Sequence, residues 1–200
     1  MIDIESAWEE LHRRIASCRK CDLCDMRHHT VPGEGPHDCR VVIIGEGPGK
    51  EEDESGRPFV GQAGRLLTDI LEKGGGIDRK SLYITNMVKC RPPNNRDPNE
   101  GEINACRDFL EAQLLLIHPD IVVTLGNVPS KPLLNTTQGI TSMRGDCKNW
   151  RGIKLFPMFH PSHLLHNQSN AVGSPKYLTW QDVKKLKAEI DKLKNKSKES

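Results

Sequence analysis

Residues 40–49 read RVVIIGEGPG, and this stretch decides the fold. Its first six residues form a short apolar run rich in β-branched side chains, which is typical of a strand buried on both faces of a parallel sheet. Three further runs have the same character: LYIT at 82–85, DIVVTL at 120–125 and IKLFPM at 153–158. Pro157 indicates that the last strand ends irregularly or lies at an edge of the sheet.

Helical patterns alternate with these strands. Apolar residues spaced three or four apart predict amphipathic helices at 4–15, 63–71, 103–117 and 180–193. Asp97 and Pro98 are expected to cap and begin the third of these helices. Strands that alternate with helices predict an α/β fold with a parallel sheet and right-handed crossovers.

Length and charge narrow the classes of function. The 200 residues suit a single domain, 1–200, and the formal net charge is only +2. Eight lysines and four acidic residues lie between Lys176 and Ser200, so residues 1–175 carry a formal charge of −2. The body is therefore not a broadly basic nucleic-acid binder. The lysine-rich end predicts a solvated helix face with a frayed tail at about 194–200, and we hypothesise that it adds nonspecific phosphate contacts.

Neither a membrane nor an export pathway is indicated. The chain has no run of 18 apolar residues, so no membrane span is predicted. The first ten residues carry four acids and no apolar block, unlike a secretory signal. We therefore expect a cytoplasmic protein.

Polar residues follow each predicted strand. Glu46 and Gly47 follow the first strand, Asn86 the second, Asn127 the third and His160 the fourth. Because ligands of open parallel sheets bind beyond the carboxyl ends of the strands, a carboxylate, an amide and an imidazole are expected to converge at one edge.

The glycine-rich loop at 45–49 resembles a phosphate cradle only superficially. Its surroundings are acidic, with five carboxylates at Glu46, Glu51, Glu52, Asp53 and Glu54 against the single cation Lys50. Such charge would repel a pyrophosphate, and no P-loop lysine follows. We expect the glycines to let backbone amides approach a neutral, flat ligand.

Seven cysteines are unusual for a chain without an export signal, and a disulfide framework is improbable in a reducing compartment. Cys18 and Cys21 form a C-x-x-C pair after the first helix, and Cys90 and Cys106 could complete a four-thiolate site. Zinc and an iron–sulfur cluster both fit this pattern, and Cys106 alone would suit a small core residue. Cys24 extends the pair to a ferredoxin-like spacing without the Cys-Pro that should follow. We interpret Cys39 and Cys147 as free thiols.

Three uncharged side chains suit recognition of a planar ligand. Phe59 stands in the loop G56RPFVG61, where its ring could stack on such a ligand, although core packing is the usual role of Phe. The side-chain amide of Asn86 has a donor and an acceptor, enough to read the Watson–Crick edge of a base. Taken singly, Asn86 is as typical of a turn, and His160 of a satisfied surface or core histidine.

These motifs together resemble the family 4 (iron–sulfur) uracil-DNA glycosylases of bacteria and archaea. The matching segments, in chain order, are C18RKC21DL, V31PGEGP, G45EGPGKEED, G56RPFVGQAGRLL, Y83ITNMVKCRPPNNRDP, L125G, M143RG, M158FHPSHLLHN and G173SPKYLTW. The resemblance implies a three-layer fold with a central four-stranded parallel sheet flanked by helices. It also implies removal of uracil from DNA by hydrolysis of the N-glycosidic bond, which leaves an abasic site and initiates base excision repair.

The resemblance further implies roles for particular residues. A structural [4Fe-4S] cluster is expected on four cysteines: Cys18, Cys21, Cys90 and Cys106. The expected substrate-binding residues are Glu46, Gly47, Glu52, Phe59, Asn86 and His160. His160 and Glu46 are the catalytic candidates, and Glu52 is expected near C5 of the base, where a thymine methyl would clash. The DNA contacts are expected from Ser162, Leu164 and Leu165, with one of the two leucines as the wedge in the minor groove.

Some features depart from related patterns. In the best-known branch of the superfamily an aspartate stands where this chain has Gly47, so the group that activates water is an open question. Another branch traps DNA covalently through a histidine in an insertion after the second strand. The corresponding stretch here, Lys89–Pro93, contains no histidine, so turnover is expected.

Two alternatives remain open at this level. A noncatalytic iron–sulfur electron carrier or redox sensor would use the same cysteines without needing Phe59, Asn86 or His160. A glycosylase of the same fold could act on hypoxanthine or another deaminated base. We expect uracil-containing DNA as the partner of a monomeric enzyme, close to the nucleoid of a prokaryote.

Overall fold

A five-stranded sheet forms the centre of the protein. The computed structural model describes residues 3–196, and the side chains of 3–193. The strands are β1 (Val41–Gly45), β2 (Tyr83–Asn86), β3 (Ile121–Leu125), β4 (Lys148–Trp150) and β5 (Ile153–Met158). Their order in the sheet is β2-β1-β3-β5-β4, with every neighbouring pair parallel except β4 and β5. The prediction of an α/β fold is confirmed.

The predicted number of strands was one too low. The four strands read from the sequence are the parallel ones, and β4 adds an antiparallel edge. β4 is only three residues long and its side chains are largely exposed, so it lacks the apolar run that marked the others. Arg151 and Gly152 both have positive φ, 51° and 85°, as a tight two-residue hairpin requires.

Eight α-helices lie within the described residues. They are α1 (Ile4–Ala16), α2 (Lys50–Ser55), α3 (Gln62–Asp69), α4 (Glu100–Ile117), α5 (Asn127–Leu134), α6 (Ile140–Met143), α7 (Pro161–His166) and α8 (Pro175–Lys196). A π-helical turn, Ile70–Gly74, prolongs α3, and single 3₁₀ turns stand at Asp22–Cys24, Arg79–Ser81 and Pro93–Asn95.

The helices cover the sheet on both faces, which gives three layers. Alternate residues of β1 point in opposite directions, so Ile43 belongs to one apolar cluster and Val42 and Ile44 to another. The first cluster contains residues of α3, α7 and α8, and the second contains residues of α1 and α4. β1 is consequently buried along its whole length, as its continuous apolar run predicted.

Two local expectations were wrong. α4 is capped by Asn99 and not by Asp97, because the Asn99 side chain accepts a hydrogen bond from the Glu102 N–H while Glu102 accepts one from the Asn99 N–H. This reciprocal pair satisfies two otherwise free donors of the helix start. In α1, Ile4 is 61% exposed, so only the rest of the predicted stripe is buried.

No helix within residues 3–196 is both long and apolar enough to cross a membrane. The predicted frayed tail at 194–200 falls outside the residues whose side chains are described, although the backbone of α8 continues to Lys196.

Candidate active site

One pocket lies at the carboxyl edge of the sheet, where the polar residues were expected to converge. Its cavity volume is about 220 Å³. It is lined by all six predicted substrate-binding residues and by one predicted DNA contact: Glu46, Gly47, Glu52, Phe59, Asn86, His160 and Ser162. The sheet is responsible for this arrangement, because Gly45 and Asn86 are register partners at the ends of β1 and β2.

Asn86 presents an unpaired acceptor in this region. The residue is 1% exposed, and its Oδ1 has no hydrogen-bond partner among the residues that the structure describes. A Cβ added at Gly45 would lie 2.4 Å from that oxygen and 2.5 Å from Cζ of Phe59. The glycine therefore leaves room for the amide and the ring beside each other. A buried oxygen without a partner is costly unless a ligand or water satisfies it.

A buried lysine forms a hydrogen bond with the backbone carbonyl of Asn86. Lys89 Nζ donates to three uncharged oxygens: Asn86 O at 2.8 Å, Thr85 Oγ1 at 2.6 Å and Gln113 Oε1 at 2.8 Å. Burial lowers the pKa of Lys89 to about 8. These bonds fix the end of β2 and hold the Asn86 amide on a rigid support.

Glu52 holds the loop that carries Phe59. Its Oε1 accepts hydrogen bonds from the N–H groups of Val60 at 2.9 Å and of Gly61 at 2.8 Å. The other carboxylate oxygen approaches Gly49, where an added Cβ would lie 2.7 Å from it. Glu52 is thus both a pocket residue and an anchor of the Phe59 loop.

The imidazole of His160 has a defined tautomer. Its Nδ1 accepts the backbone N–H of Ser162 at 3.2 Å, which caps the start of α7, and lies 2.7 Å from Ser162 Oγ. Burial lowers the pKa of His160 to about 4. At neutral pH the ring is therefore uncharged, and because Nδ1 accepts the Ser162 N–H, its proton is on Nε2. The centroids of the His160 and Phe59 rings are 6.0 Å apart.

Glu46 is the titratable group of the pocket with a raised pKa. Burial, reinforced by the negative charge of Asp97, raises the pKa of Glu46 to about 7. Its Oε1 packs against the turn after β3, since a Cβ at Gly126 would lie 2.5 Å from that oxygen. A carboxyl group with a pKa near 7 can exchange a proton at physiological pH.

Comparisons with known proteins agree with this geometry. A model of the Uracil DNA glycosylase superfamily matches residues 32–184. A type-4 uracil-DNA glycosylase of Thermotoga maritima is 45% identical over 190 residues, which cover 94% of this chain and 97% of that protein. The chain belongs to the type-4 uracil-DNA glycosylases of this superfamily.

Other type-4 uracil-DNA glycosylases are similar over most of the chain. The protein of Sulfurisphaera tokodaii is 43% identical over 167 residues, covering 80% of this chain and 76% of the relative. The protein of Saccharolobus solfataricus is 43% identical over 161 residues, covering 76% and 74% respectively.

In this type-4 family member the two candidate wedge residues differ sharply in burial. Leu164 is 3% exposed and belongs to the apolar cluster under α7. Leu165 is only partly buried. Leu165 is therefore the more accessible of the two predicted wedge residues.

Residues of the loop after β2 also line the pocket, and sequence reasoning missed them. They are Pro92, Asn95, Arg96 and Pro98. Arg96 is held by Glu102, with Nη1 and Nη2 donating to the two carboxylate oxygens at 2.9 and 2.6 Å. The polar run PPNNRDP at 92–98, in the loop that follows β2, was the available signal.

A second cavity of this type-4 family member, away from the pocket, gathers the cysteines. Cys18, Cys21, Cys24, Cys90 and Cys106 all line it. Burial raises the pKa of Cys106, with smaller contributions from the neighbouring Cys18 and Cys21, and it raises the pKa of Cys90, with smaller contributions from Cys106 and Cys21. Cys24 Sγ donates to Asp25 Oδ1 at 3.3 Å. None of the seven cysteines is in a disulfide.

Cations and N–H donors face the four cysteines. Lys20, Arg27 and Lys89 line the cavity. Arg27 Nη1 donates to Cys90 Sγ at 3.2 Å, and the backbone N–H of Lys20 donates to Cys18 Sγ at 3.5 Å. This environment suits a group with negative charge on its sulfurs. Across residues 3–196, no three His, Cys, Asp or Glu side chains are arranged to hold one metal ion.

Proposed function

We propose that the protein is a monofunctional uracil-DNA glycosylase, which flips uracil out of DNA and hydrolyses its N-glycosidic bond to leave an abasic site for base excision repair. One observation carries the proposal. The buried, unpaired Oδ1 of Asn86 stands in a pocket shared with an aromatic ring and a neutral imidazole. Uracil offers what these groups lack: a flat ring, an N–H donor on its Watson–Crick edge, and oxygens that become negative when the bond breaks.

Asn86 selects the base. Its Oδ1 accepts from N3–H of uracil while its amide donates to O4. Cytosine has an acceptor at N3 and a donor at C4, so it would leave both groups of the buried amide unpaired. A mismatch of buried polar groups can discriminate by roughly 10⁴ or more.

Stacking on Phe59 offsets part of the free energy that is needed to extrude the base. Taking a base out of the duplex costs a few kcal/mol. The Phe59 side chain, 7% exposed, stacks on the flipped ring and replaces the lost base stacking. Glu52 holds the loop for this contact and lies near C5, where a thymine methyl would clash.

His160 stabilises the departing base. The bond breaks toward an oxocarbenium-like sugar and an anionic uracil, and Nε2–H of His160 donates to the uracil oxygen on which charge develops. That hydrogen bond strengthens in the transition state, which is the condition for acceleration. A neutral ring suits this role because it donates the hydrogen bond without giving up its proton.

Glu46 is the group in the pocket best placed to handle the attacking water. Gly47 offers no side chain for the purpose. With a pKa of about 7, part of the Glu46 population is ionised at neutral pH and can orient water or accept its proton.

The segment after His160 contacts DNA. Ser162 lines the pocket mouth, and partly exposed Leu165 on α7 is the wedge that fills the space of the extruded base. We propose that the enzyme acts at the nucleoid as a single-domain monomer.

A [4Fe-4S] cluster on Cys18, Cys21, Cys90 and Cys106 completes the proposal. The cavity is lined by cationic side chains, which suits a group with negative charge on its sulfurs. When bound, the cluster would tie together the segment after α1, the loop after β2, and α4.

Iron content tests the ligand set. Cys21→Ser should lose most of the iron and the visible absorption of the cluster, whereas Cys24→Ser should keep both. Equal loss in the two variants would contradict the assignment, and zinc in place of iron in the native protein would replace the cluster with a structural metal.

The activity is tested on a panel of duplexes, each with one uracil, hypoxanthine, thymine or cytosine. Release of free uracil together with an alkali-labile abasic site is the expected result. Preferential release of hypoxanthine would favour the related glycosylase. A brown protein that releases no base from any duplex would favour the electron carrier.

A further inference from the structure

Phe59 has a backbone conformation that bulky residues rarely adopt. Its φ is 52°, in the left-handed region. Such strain persists only where neighbouring groups over-determine the backbone. Glu52 accepts hydrogen bonds from the N–H groups of the two residues that follow Phe59. The carbonyl groups of the same loop need a donor, which a carboxylate cannot provide.

Arg79 binds that carbonyl side. It stands in the 3₁₀ turn before β2, and its Nη1 donates to Phe59 O at 3.0 Å while Nη2 donates to Pro58 O at 2.8 Å. Nη1 also lies 2.9 Å from Thr68 Oγ1, which ties the guanidinium to α3. The planar fork of arginine can satisfy several fixed oxygens at once, which lysine cannot.

Helix α3 also packs against the backbone of the Phe59 loop. A Cβ at Gly64 would lie only 2.0 Å from the carbonyl carbon and oxygen of Phe59. The helix backbone therefore touches the Phe59 peptide directly, and Arg79 and Glu52 fasten the two ends of the same loop. Arg79 itself is not among the residues that line the pocket.

We infer that Arg79 is a positioning residue that sets the Phe59 ring for stacking on the extruded base. This inference rests on the proposed function and adds a residue outside the pocket. Displacing the ring by about 1 Å can lower a rate by about 10²-fold. Arg79 acts only through Phe59, so its removal should matter only while the ring is present.

A double-mutant cycle tests this dependence. Excision from a uracil-containing duplex is measured under single-turnover conditions for the native protein, Arg79→Met, Phe59→Ala and the double variant. Arg79→Met is expected to lower kcat/KM by about 10- to 100-fold. In the Phe59→Ala background the same change should cost less than about twofold, because the ring is already gone.

Inhibition by free uracil gives a second readout. If Arg79 orients the ring, Arg79→Met should raise the inhibition constant of the free base uracil as much as Phe59→Ala does. Arg57→Met is the matched control, because Arg57 is in the same loop but is bonded at 2.8 Å to both carboxylate oxygens of Glu34. It should leave both readouts unchanged.

Equal losses from Arg79→Met in the two backgrounds would overturn the inference, as would native kinetics in Arg79→Met. If Arg79→Met does not fold, the same cycle is run with Arg79→Lys, which retains charge but cannot span the oxygens, and with Gly64→Ala, which pushes on the same peptide; the same two results overturn the inference. A native protein that releases no uracil would refute the proposed function instead.

Discussion

The proposed recognition of the base by Asn86 depends on its Oδ1, which has no hydrogen-bond partner within the described part of the chain. We predict that Asn86→Asp lowers kcat/KM for uracil at least 100-fold, roughly the effect of losing one hydrogen-bond donor to a developing oxyanion. A carboxylate has no donor for O4 and repels the uracil anion. The variant should also narrow the preference for uracil over cytosine, measured on duplexes that carry one or the other.

Asn104→Asp is the control for that substitution, since Asn104 is exposed on α4. Unchanged kinetics of uracil excision in Asn86→Asp would contradict the proposal that the Asn86 amide recognises the Watson–Crick edge of the base.

The pH dependence separates the two titratable groups of the pocket. Below a pKa of about 7, Glu46 is protonated and cannot accept a proton from water, so kcat/KM should fall about tenfold per pH unit as the pH drops. His160, with a pKa of about 4, stays neutral through this range and adds a second loss only near pH 4.

Glu46→Gln should abolish the limb near pH 7 in a profile of kcat/KM from pH 4 to 8.5. Glu51→Gln, an exposed neighbour on α2, should preserve it. A limb that persists in Glu46→Gln would assign the titration to another group.

At the level of single residues, the sequence predicts which side chains line the pocket better than it predicts which residues hold them in position. Phe59, Asn86 and His160 stand at strand ends or in a glycine-rich loop, so their positions could be read directly. Arg79 and Lys89 could not be found in this way, because both act on backbone carbonyls that only the folded chain brings to them.

At the level of elements, α7 is proposed to contribute Leu164 to the apolar core and Leu165 to the contact with DNA. Leu165→Ala should reduce excision of uracil from a duplex much more than from a single strand, where no partner base has to be displaced. Leu164→Ala should instead lower the free energy of unfolding by about 2–5 kcal/mol, since it empties a buried site. Kinetics on both substrates and denaturant unfolding check the pair. Comparable effects of the two substitutions on duplex excision, with equal stability, would contradict this division.

Element boundaries show where local signals compete. Asp97 and Asn99 are both good helix caps, and each is followed three residues later by a glutamate, Glu100 or Glu102. The sequence therefore cannot separate them, and only the folded chain shows that the reciprocal hydrogen bonds form between Asn99 and Glu102. β4 escaped prediction because pairing with β5, not its own composition, makes it a strand. The buried parallel strands were predictable because burial on both faces leaves an unbroken apolar run.

At the scale of the molecule, a buried ion pair fastens α8 to the segment after α6. Arg144 Nε donates to Asp182 Oδ2 at 2.6 Å, and Asp182 is completely buried. Arg144→Met should cost about 3–5 kcal/mol of the free energy of unfolding, because it leaves a buried carboxylate unpaired. Urea unfolding measures the change.

Lys185→Met is the comparison, since its ion pair with Asp146 is exposed and should be worth less than about 1 kcal/mol. A similar small effect of both substitutions would show that Asp182 finds another partner.

Topology explains why the site was easier to predict than its surroundings. In a parallel sheet, the carboxyl ends of all the strands meet at one edge. Residues far apart in the chain can therefore be assigned to one pocket from the sequence alone. The cysteine cavity has no such rule, because α1, the loop after β2 and α4 meet only through side-chain packing. The sequence pattern alone therefore leaves the ligand of this cavity open between zinc and an iron–sulfur cluster.

The cap on α7 affects how mutants of the imidazole should be interpreted. Because Nδ1 of His160 accepts the Ser162 N–H, replacing the residue with alanine removes the proton donor and frays the start of the short helix that bears Leu165. Asparagine can keep the helix start intact while discarding the ring. The difference in activity between these two replacements would separate the proposed role of the ring in bond cleavage from the role of the cap in holding the helix that enters the groove.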